Sequence, residues 1–152
     1  MVYAPERAPD GELFFTLEEV AACDAVILAI PISAYKATLG QIHQYLSAKS
    51  VVLDIAAVKQ HTIDLLEATI PSVNFISMHP MFGPESYSQR NGDVDGFRVV
   101  ITGHNLATNT YDAFRNGLIA AGFTIIETTA AAHDRDLAET LFLTHYIGQI
   151  VA

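Results

Sequence analysis

Residues 74–85 read Asn74-Phe75-Ile76-Ser77-Met78-His79-Pro80-Met81-Phe82-Gly83-Pro84-Glu85. The first part is a β-type run, and the second is a turn built of two prolines and a glycine. The run predicts a strand over Val73–Met78 that delivers His79 at its C-terminal end, where open α/β sheets bind their ligands. Histidine has the side-chain pKa nearest neutrality and is the default general base. A rigid turn after it suits a base that must be held in one place.

The same pattern extends in both directions. Upstream, Thr16-Leu17-Glu18-Glu19 has the form of a capping box, so a short helix should run to about Cys23. Ala25–Ile30 is a continuous apolar run stopped by Pro31, which suits a strand buried on both faces. Ser33 is a candidate cap for a helix over 34–46, in which Tyr35, Leu39, Ile42 and Leu46 recur at helical spacing. Ser50–Ile55 reads as a strand and Val58–Thr69 as a helix. Downstream come a polar loop over Gly83–Gly96, a strand over Phe97–Thr102 and a helix over Ala107–Ala121 with Gly122 at its C-terminal cap. A strand over Phe123–Glu127 and a helix from about Ala131 to the end complete the chain. Strands alternating with helices predict an α/β fold: a Rossmann-like, mostly parallel sheet with helices on both faces.

The chain has 152 residues, of which 51% are hydrophobic and 16% charged, enough to bury a core. Eight Lys and Arg against 17 Asp and Glu give a net charge of −9, which argues against nucleic acid or an anionic membrane as partner. No apolar run reaches the ~20 residues of a membrane span. The N-terminus has no signal-peptide core. The single Cys23 excludes an internal disulfide. The chain therefore reads as a cytoplasmic protein.

Other residues join His79 as candidates. Asp54-Ile55-Ala56-Ala57-Val58-Lys59 ends the preceding strand, with Asp54 a possible helix cap and Lys59 a possible charge for an anion, or simply a solvated lysine. Ala29-Ile30-Pro31-Ile32-Ser33 either exposes backbone to a dinucleotide or merely stops a strand. Asp134, Ala138, Leu141 and His145 fall on one stripe of the last helix, which either lines a pocket or is solvated at its polar ends. The His and Asp spacings carry no metal signature. Neither a Gly-rich phosphate loop nor a serine-nucleophile elbow is present.

These residues together resemble the prephenate/arogenate dehydrogenase family of tyrosine biosynthesis. The matching segments are DAVILAIPIS (24–33), DIAAVK (54–59), HPMFGPES (79–86), AHDRD (132–136) and FLTHYIG (142–148), in the family's order. HPMFGP is the most specific of them, and the resemblance spans residues 13–152. It implies an NAD(P)-dependent enzyme with NAD or NADP as cofactor. Such an enzyme oxidises the ring carbinol of prephenate or arogenate, with loss of the ring carboxylate as CO2. It also implies a homodimer. By the same resemblance His79 accepts the ring hydroxyl proton, and Glu85, His133 and His145 line the substrate pocket. Ile30, Pro31, Ser33 and Ala57 lie along the cofactor, and no metal is expected.

The resemblance divides the chain into a partial NAD(P)-binding Rossmann-like domain, residues 1–129, and the start of a helical substrate and dimerisation domain, residues 130–152. Two departures stand out. Ala57 replaces a serine whose hydroxyl would contact the catalytic histidine or the nicotinamide. The family's first strand, Gly-rich loop and second strand have no counterpart here, so the chain reads as a piece in which Ala25–Ile30 is a bare sheet edge. Two other readings are a non-catalytic binding or assembly module, and a different NAD(P) dehydrogenase of the β-hydroxyacid type. The second of these is disfavoured by the HPMFGP segment.

Overall fold

The computed structural model describes residues 1–151, with residues 141–145 and 148–151 entering only through the backbone of their helix. Five strands form one sheet in the order β1 (Ala25–Leu28), β2 (Val51–Asp54), β3 (Asn74–Pro80), β4 (Arg98–His104) and β5 (Thr124–Glu127). The β1/β2, β2/β3 and β4/β5 pairs are parallel, while β3 and β4 run antiparallel. The sheet is thus Rossmann-like and mostly parallel, as expected. The antiparallel pair follows from its connection, which contains no long crossover helix.

The helices are α1 (Leu17–Ala21), α2 (Tyr35–Ile42), α3 (Gln60–Thr69), α4 (Pro84–Gln89), α5 (Thr108–Ala120) and α6 (Ala130–Val151). They cover both faces. Val26, Leu28, Val52 and Phe75 share one core with Tyr35, Leu39 and Ile42 of α2 and Leu66 of α3. Leu53, Ile76, Met78, Val99 and Ile101 share a second core with Tyr111 and Phe114 of α5. Each fully buried aliphatic side chain in these layers contributes roughly 1.5–3 kcal/mol.

Several local signals act as the sequence predicts. Thr16 Oγ1 accepts the Glu19 backbone N–H at 3.2 Å, and Glu19 Oε2 accepts the Thr16 N–H at 2.9 Å, which completes the capping box of α1. Gly122 has φ +101° just past α5, and a Cβ there would lie 3.1 Å from the Asp95 backbone. Only glycine suits that position without strain.

Other expectations change. Ala25–Ile30 is not buried on both faces: β1 is the sheet edge, Val26 and Leu28 point into the core, and Ile27 is 60% exposed. Ser33 does not cap α2. It sits in a 3-10 turn, Ile32–Ala34, and α2 begins at Tyr35 with no side-chain cap. The expected loop 83–96 contains α4, started by Pro84 at its first turn, where the missing N–H costs nothing. Strand β3 runs on through His79 and Pro80, so the histidine is a strand residue paired with Val100. Among the described residues, no helix is long and apolar enough to cross a membrane.

Candidate active site at the end of β3

The parallel pairing of β1, β2 and β3 brings the ends of three strands to one edge of the fold. Asp54 and Lys59 were expected to cap a helix and to meet an anion or solvent. The structure does neither. Both side chains are fully buried, with Lys59 Nζ 2.8 Å from Asp54 Oδ2. Asp54 also accepts from the hydroxyls of Tyr35 (2.6 Å), Thr62 (2.6 Å) and Ser77 (2.8 Å) and from the Ala56 N–H (2.9 Å). A buried charge is tolerable only when paired and hydrogen-bonded in this way. Lys59 Nζ also donates to the Met78 carbonyl at 2.8 Å, one residue before His79. The network therefore grips β2, α3 and the end of β3 together.

The register of β3 shifts between Ser77 and Met78, opposite Thr102, whose hydroxyl donates to Ser77 at 3.2 Å. Irregularities of this kind re-aim the side chains that follow. The next side chain but one is His79. Its Nδ1 lies 3.0 Å from Nε2 of His133, in the first turns of α6, and the two rings meet edge-on at 76°. His133 Nδ1 in turn lies 3.0 Å from Asp134 Oδ1. Asp134 does more than face its own helix dipole. Its Oδ1 accepts the Lys59 N–H at 2.8 Å and its Oδ2 accepts the Gln60 N–H at 2.9 Å. Helix α3, which has no capping side chain of its own, is thus capped from α6.

The electrostatics favour a neutral His79. Burial pushes its pKa below the ordinary histidine range, and His133 and Lys59 push the same way, while Asp54 and Asp134 oppose. For Asp54, burial alone would raise the pKa, but the Lys59 ammonium and the hydroxyl donors outweigh it and keep the carboxylate ionised. For Asp134, burial is likewise outweighed by the Gln60 N–H, His133 and the Lys59 N–H, which hold its pKa down. His79 Nε2 has no hydrogen-bond partner among the described residues, and no buried side-chain nitrogen or oxygen there is left unpaired. That nitrogen is therefore open to solvent.

Beside the pair lies a cleft of about 250 Å³, lined by Met81, Val100, Ile126, Thr128, His133 and Leu137 among others. The face of α6 on this cleft carries His133, Asp136, Leu137 and Thr140, and Ala138 of the expected stripe is exposed. Asp134 of the expected stripe is turned toward α3, and Leu141 and His145 lie outside the residues whose side chains are described. A larger cavity, about 620 Å³, lies against β1 and is walled mostly by apolar groups such as Val26, Leu28, Ile30 and Ile42. The smaller cleft is the one lined by His133, the partner of His79.

The other expected site residues are spread around this centre. Pro31, Ser33 and Ala57 are exposed and Ile30 is half-buried, all just beyond the ends of β1 and β2. Glu85 is exposed in the first turn of α4, where it accepts from Gln89 Nε2 at 3.3 Å and does not touch His79 or His133. His145 lies outside the residues whose side chains are described. Phe82 stacks on Phe97 at 4.5 Å and on Phe123 at 5.8 Å, which pins the turn after His79 to the sheet.

Residues 12–111 match the family described as "Prephenate dehydrogenase, nucleotide-binding domain". The chain is 28% identical to arogenate dehydrogenase 1, chloroplastic, of Arabidopsis thaliana, over 96% of this chain and 22% of that protein. In fold it is similar to prephenate dehydrogenase from Aquifex aeolicus, with a TM-score of 0.76 at 19% identity, covering 92% of this chain and 52% of that one. A second Aquifex structure, in complex with hydroxyphenyl propionate and NAD+, has a TM-score of 0.66 at 21% identity, covering 81% and 45%. The chain thus spans about a fifth of the plant relative and about half of the solved chains. Since the matched segment, residues 12–111, makes up most of its length, this chain belongs to the prephenate dehydrogenase family through the nucleotide-binding domain.

Proposed function

We propose that this chain forms the catalytic edge of an NAD(P)-dependent dehydrogenase that oxidatively decarboxylates prephenate or arogenate in tyrosine biosynthesis. The observation that carries the reading is His79: a neutral imidazole at a strand end, with Nε2 open to solvent, on a segment that matches the family. Its role is to accept the proton of the ring hydroxyl, a step typically worth ~10²–10⁴-fold. His133 lines the adjoining cleft, whose apolar walls suit a six-membered carbocycle. Glu85 and His145 complete the substrate side in this reading.

The dinucleotide would lie along Ile30, Pro31, Ser33 and Ala57. Those residues fit it, because Pro31, Ser33 and Ala57 are exposed just beyond β1 and β2 and none of the four carries a charge. Bound there, NAD(P)+ supplies the hydride acceptor. The Aquifex relative solved with NAD+ supports this class of cofactor. Residues 1–129 are read as the nucleotide-binding part and α6 as the entry to a helical substrate and dimerisation domain. Exposed Ile147 on α6 suits a homodimer, and the free Cys23 suits a reducing, cytoplasmic setting.

The test is calorimetric titration with NAD+ and NADP+, followed by assay of NAD(P)H formation with prephenate and with arogenate, for the wild type and His79→Gln. Saturable binding with turnover that His79→Gln abolishes supports the reading. Binding without turnover of either substrate rejects the reaction, and absence of binding rejects the cofactor.

A further inference from the structure

The three groups Asp134, His133 and His79 form one line of contacts, and each contact restricts where protons can sit. Asp134 is held ionised by two backbone N–H groups of α3, so it can only accept. His133 Nδ1, 3.0 Å from its Oδ1, must then be the nitrogen that carries a proton. In a neutral His133 this leaves Nε2 as a lone pair. That lone pair faces His79 Nδ1 at 3.0 Å, so Nδ1 of His79 must carry its proton to make the bond. The consequence falls on the far side of the ring, where His79 Nε2 is left as the unprotonated atom.

From this geometry we infer that Asp134 and His133 are positioning residues that fix His79 in its Nδ1–H tautomer, so that the nitrogen open to solvent is the proton acceptor. Carboxylates do the same for the imidazole of hydrolytic triads, where the wrong tautomer costs most of the activity. Here the line is longer by one ring. It is anchored at its far end to the start of α3 and braced from below by Lys59, whose side chain holds the carbonyl of Met78. Ala57 carries no polar side-chain atom, so the His79 Nδ1 contact the structure shows is the one to His133. The inference rests on the reading of His79 as the base, and deepens it. The proton from substrate goes to Nε2 and produces an imidazolium whose two N–H groups are shared between His133 and the product side.

The test is a long-range ¹H–¹⁵N spectrum of the chain labelled at histidine nitrogens, recorded at about pH 8.5, well above the ordinary histidine pKa. There are six histidines, so His79 and His133 are assigned by the loss of their peaks in His79→Gln and His133→Gln. The expected result is a single tautomer for each of the two rings, Nδ1 protonated and Nε2 bare. An Nε2–H form of either ring, or averaged nitrogens in His79, overturns the inference. His133→Leu, which removes the acceptor, should let His79 average between tautomers. His133→Gln, which keeps a side-chain oxygen, should restore the single form. An unchanged single tautomer in His133→Leu overturns the relay. The spectrum needs no substrate, so it fails separately from the functional reading: fixed tautomers with no turnover reject the reaction and leave the relay, whereas turnover with an averaged His79 does the reverse.

Discussion

His133 Nε2 sits 3.0 Å from His79 Nδ1 although the two residues are 54 positions apart in sequence. The contact joins the last turn of a strand to the first turns of a helix that crosses back over the sheet. Neither element could make this contact alone. Strand β3 brings His79 to the edge of the fold, and α6 brings the group that decides which face of the ring is basic.

The buried pair beneath that contact sets the first expectation. Lys59→Met removes the cation paired with Asp54 and leaves a buried carboxylate with its hydroxyl and Ala56 N–H partners. Breaking a buried pair from one side typically costs about 3–5 kcal/mol. Urea denaturation should show a loss in this range with an unchanged slope. A change as small as that of a surface substitution, within about 0.5 kcal/mol, would mean that the Lys59 ammonium contributes nothing net to the network.

Asp134 carries a second expectation, separable from its effect on His133. Asp134→Ala strips α3 of the acceptor for its first two N–H groups and should destabilise the chain by about 0.5–2 kcal/mol, the usual cost of a lost cap. Asp136→Ala is the control. That residue is two positions on and exposed, and its carboxylate makes a 3.7 Å contact to Arg135. Equal midpoints for the two variants would remove the cap from the account.

Much of the fold could be read from periodicity and punctuation. The strands from Ala25 to Glu127 were each expected within a few residues because apolar runs, Pro31 and Gly122 mark their ends. The place of His79 at the end of β3 was legible for the same reason, because the apolar run and the Pro-Gly turn bracket it. What could not be read was the meaning of Asp54 and Lys59. A lysine five residues after an aspartate at a strand end looks the same whether solvated or buried. The buried pair is completed by hydroxyls on Asp54 from Tyr35, Thr62 and Ser77 and by the Met78 carbonyl on Lys59, and these residues carry no joint sequence pattern. The direction of Asp134 was hidden likewise, because the helix that needs its cap lies some 75 residues upstream. A signal did exist in hindsight: α3 begins at Gln60 with no Ser, Thr, Asp or Asn at its cap position, so an acceptor had to come from elsewhere.

The pH dependence follows from two groups with the same sign. His79 has a folded pKa below its unfolded value, so the native state binds fewer protons there than the unfolded state. Stability from this site is therefore full above about pH 6.5 and is lost as pH falls through the folded value. Asp54 acts in the same direction at lower pH, through the carboxylate range. For activity, a depressed pKa keeps His79 neutral to lower pH, so the acid limb of kcat/KM should lie below the ordinary histidine pKa. Thermal melts and rate profiles between pH 5 and 8 check both. An acid limb above about pH 6.5 would contradict the burial argument.

Ala57 supplies the last expectation. The family resemblance places a serine there, and a hydroxyl that oriented the base would contribute on the order of 1 kcal/mol, about fivefold in rate. In this chain Nδ1 of His79 is already engaged by His133, and Ala57 is exposed beyond the end of β2. Ala57→Ser should therefore leave stability within about 0.5 kcal/mol and change kcat by well under the about fivefold that such a hydrogen bond is worth. The same substitution made in a His133→Leu background should have the larger effect, because there the new hydroxyl could take over the vacated partner of Nδ1. The comparison is a double-mutant cycle, and a coupling between positions 57 and 133 is its readout. If Ala57→Ser raises kcat equally in both backgrounds, the serine acts on the cofactor or substrate rather than on the tautomer of His79.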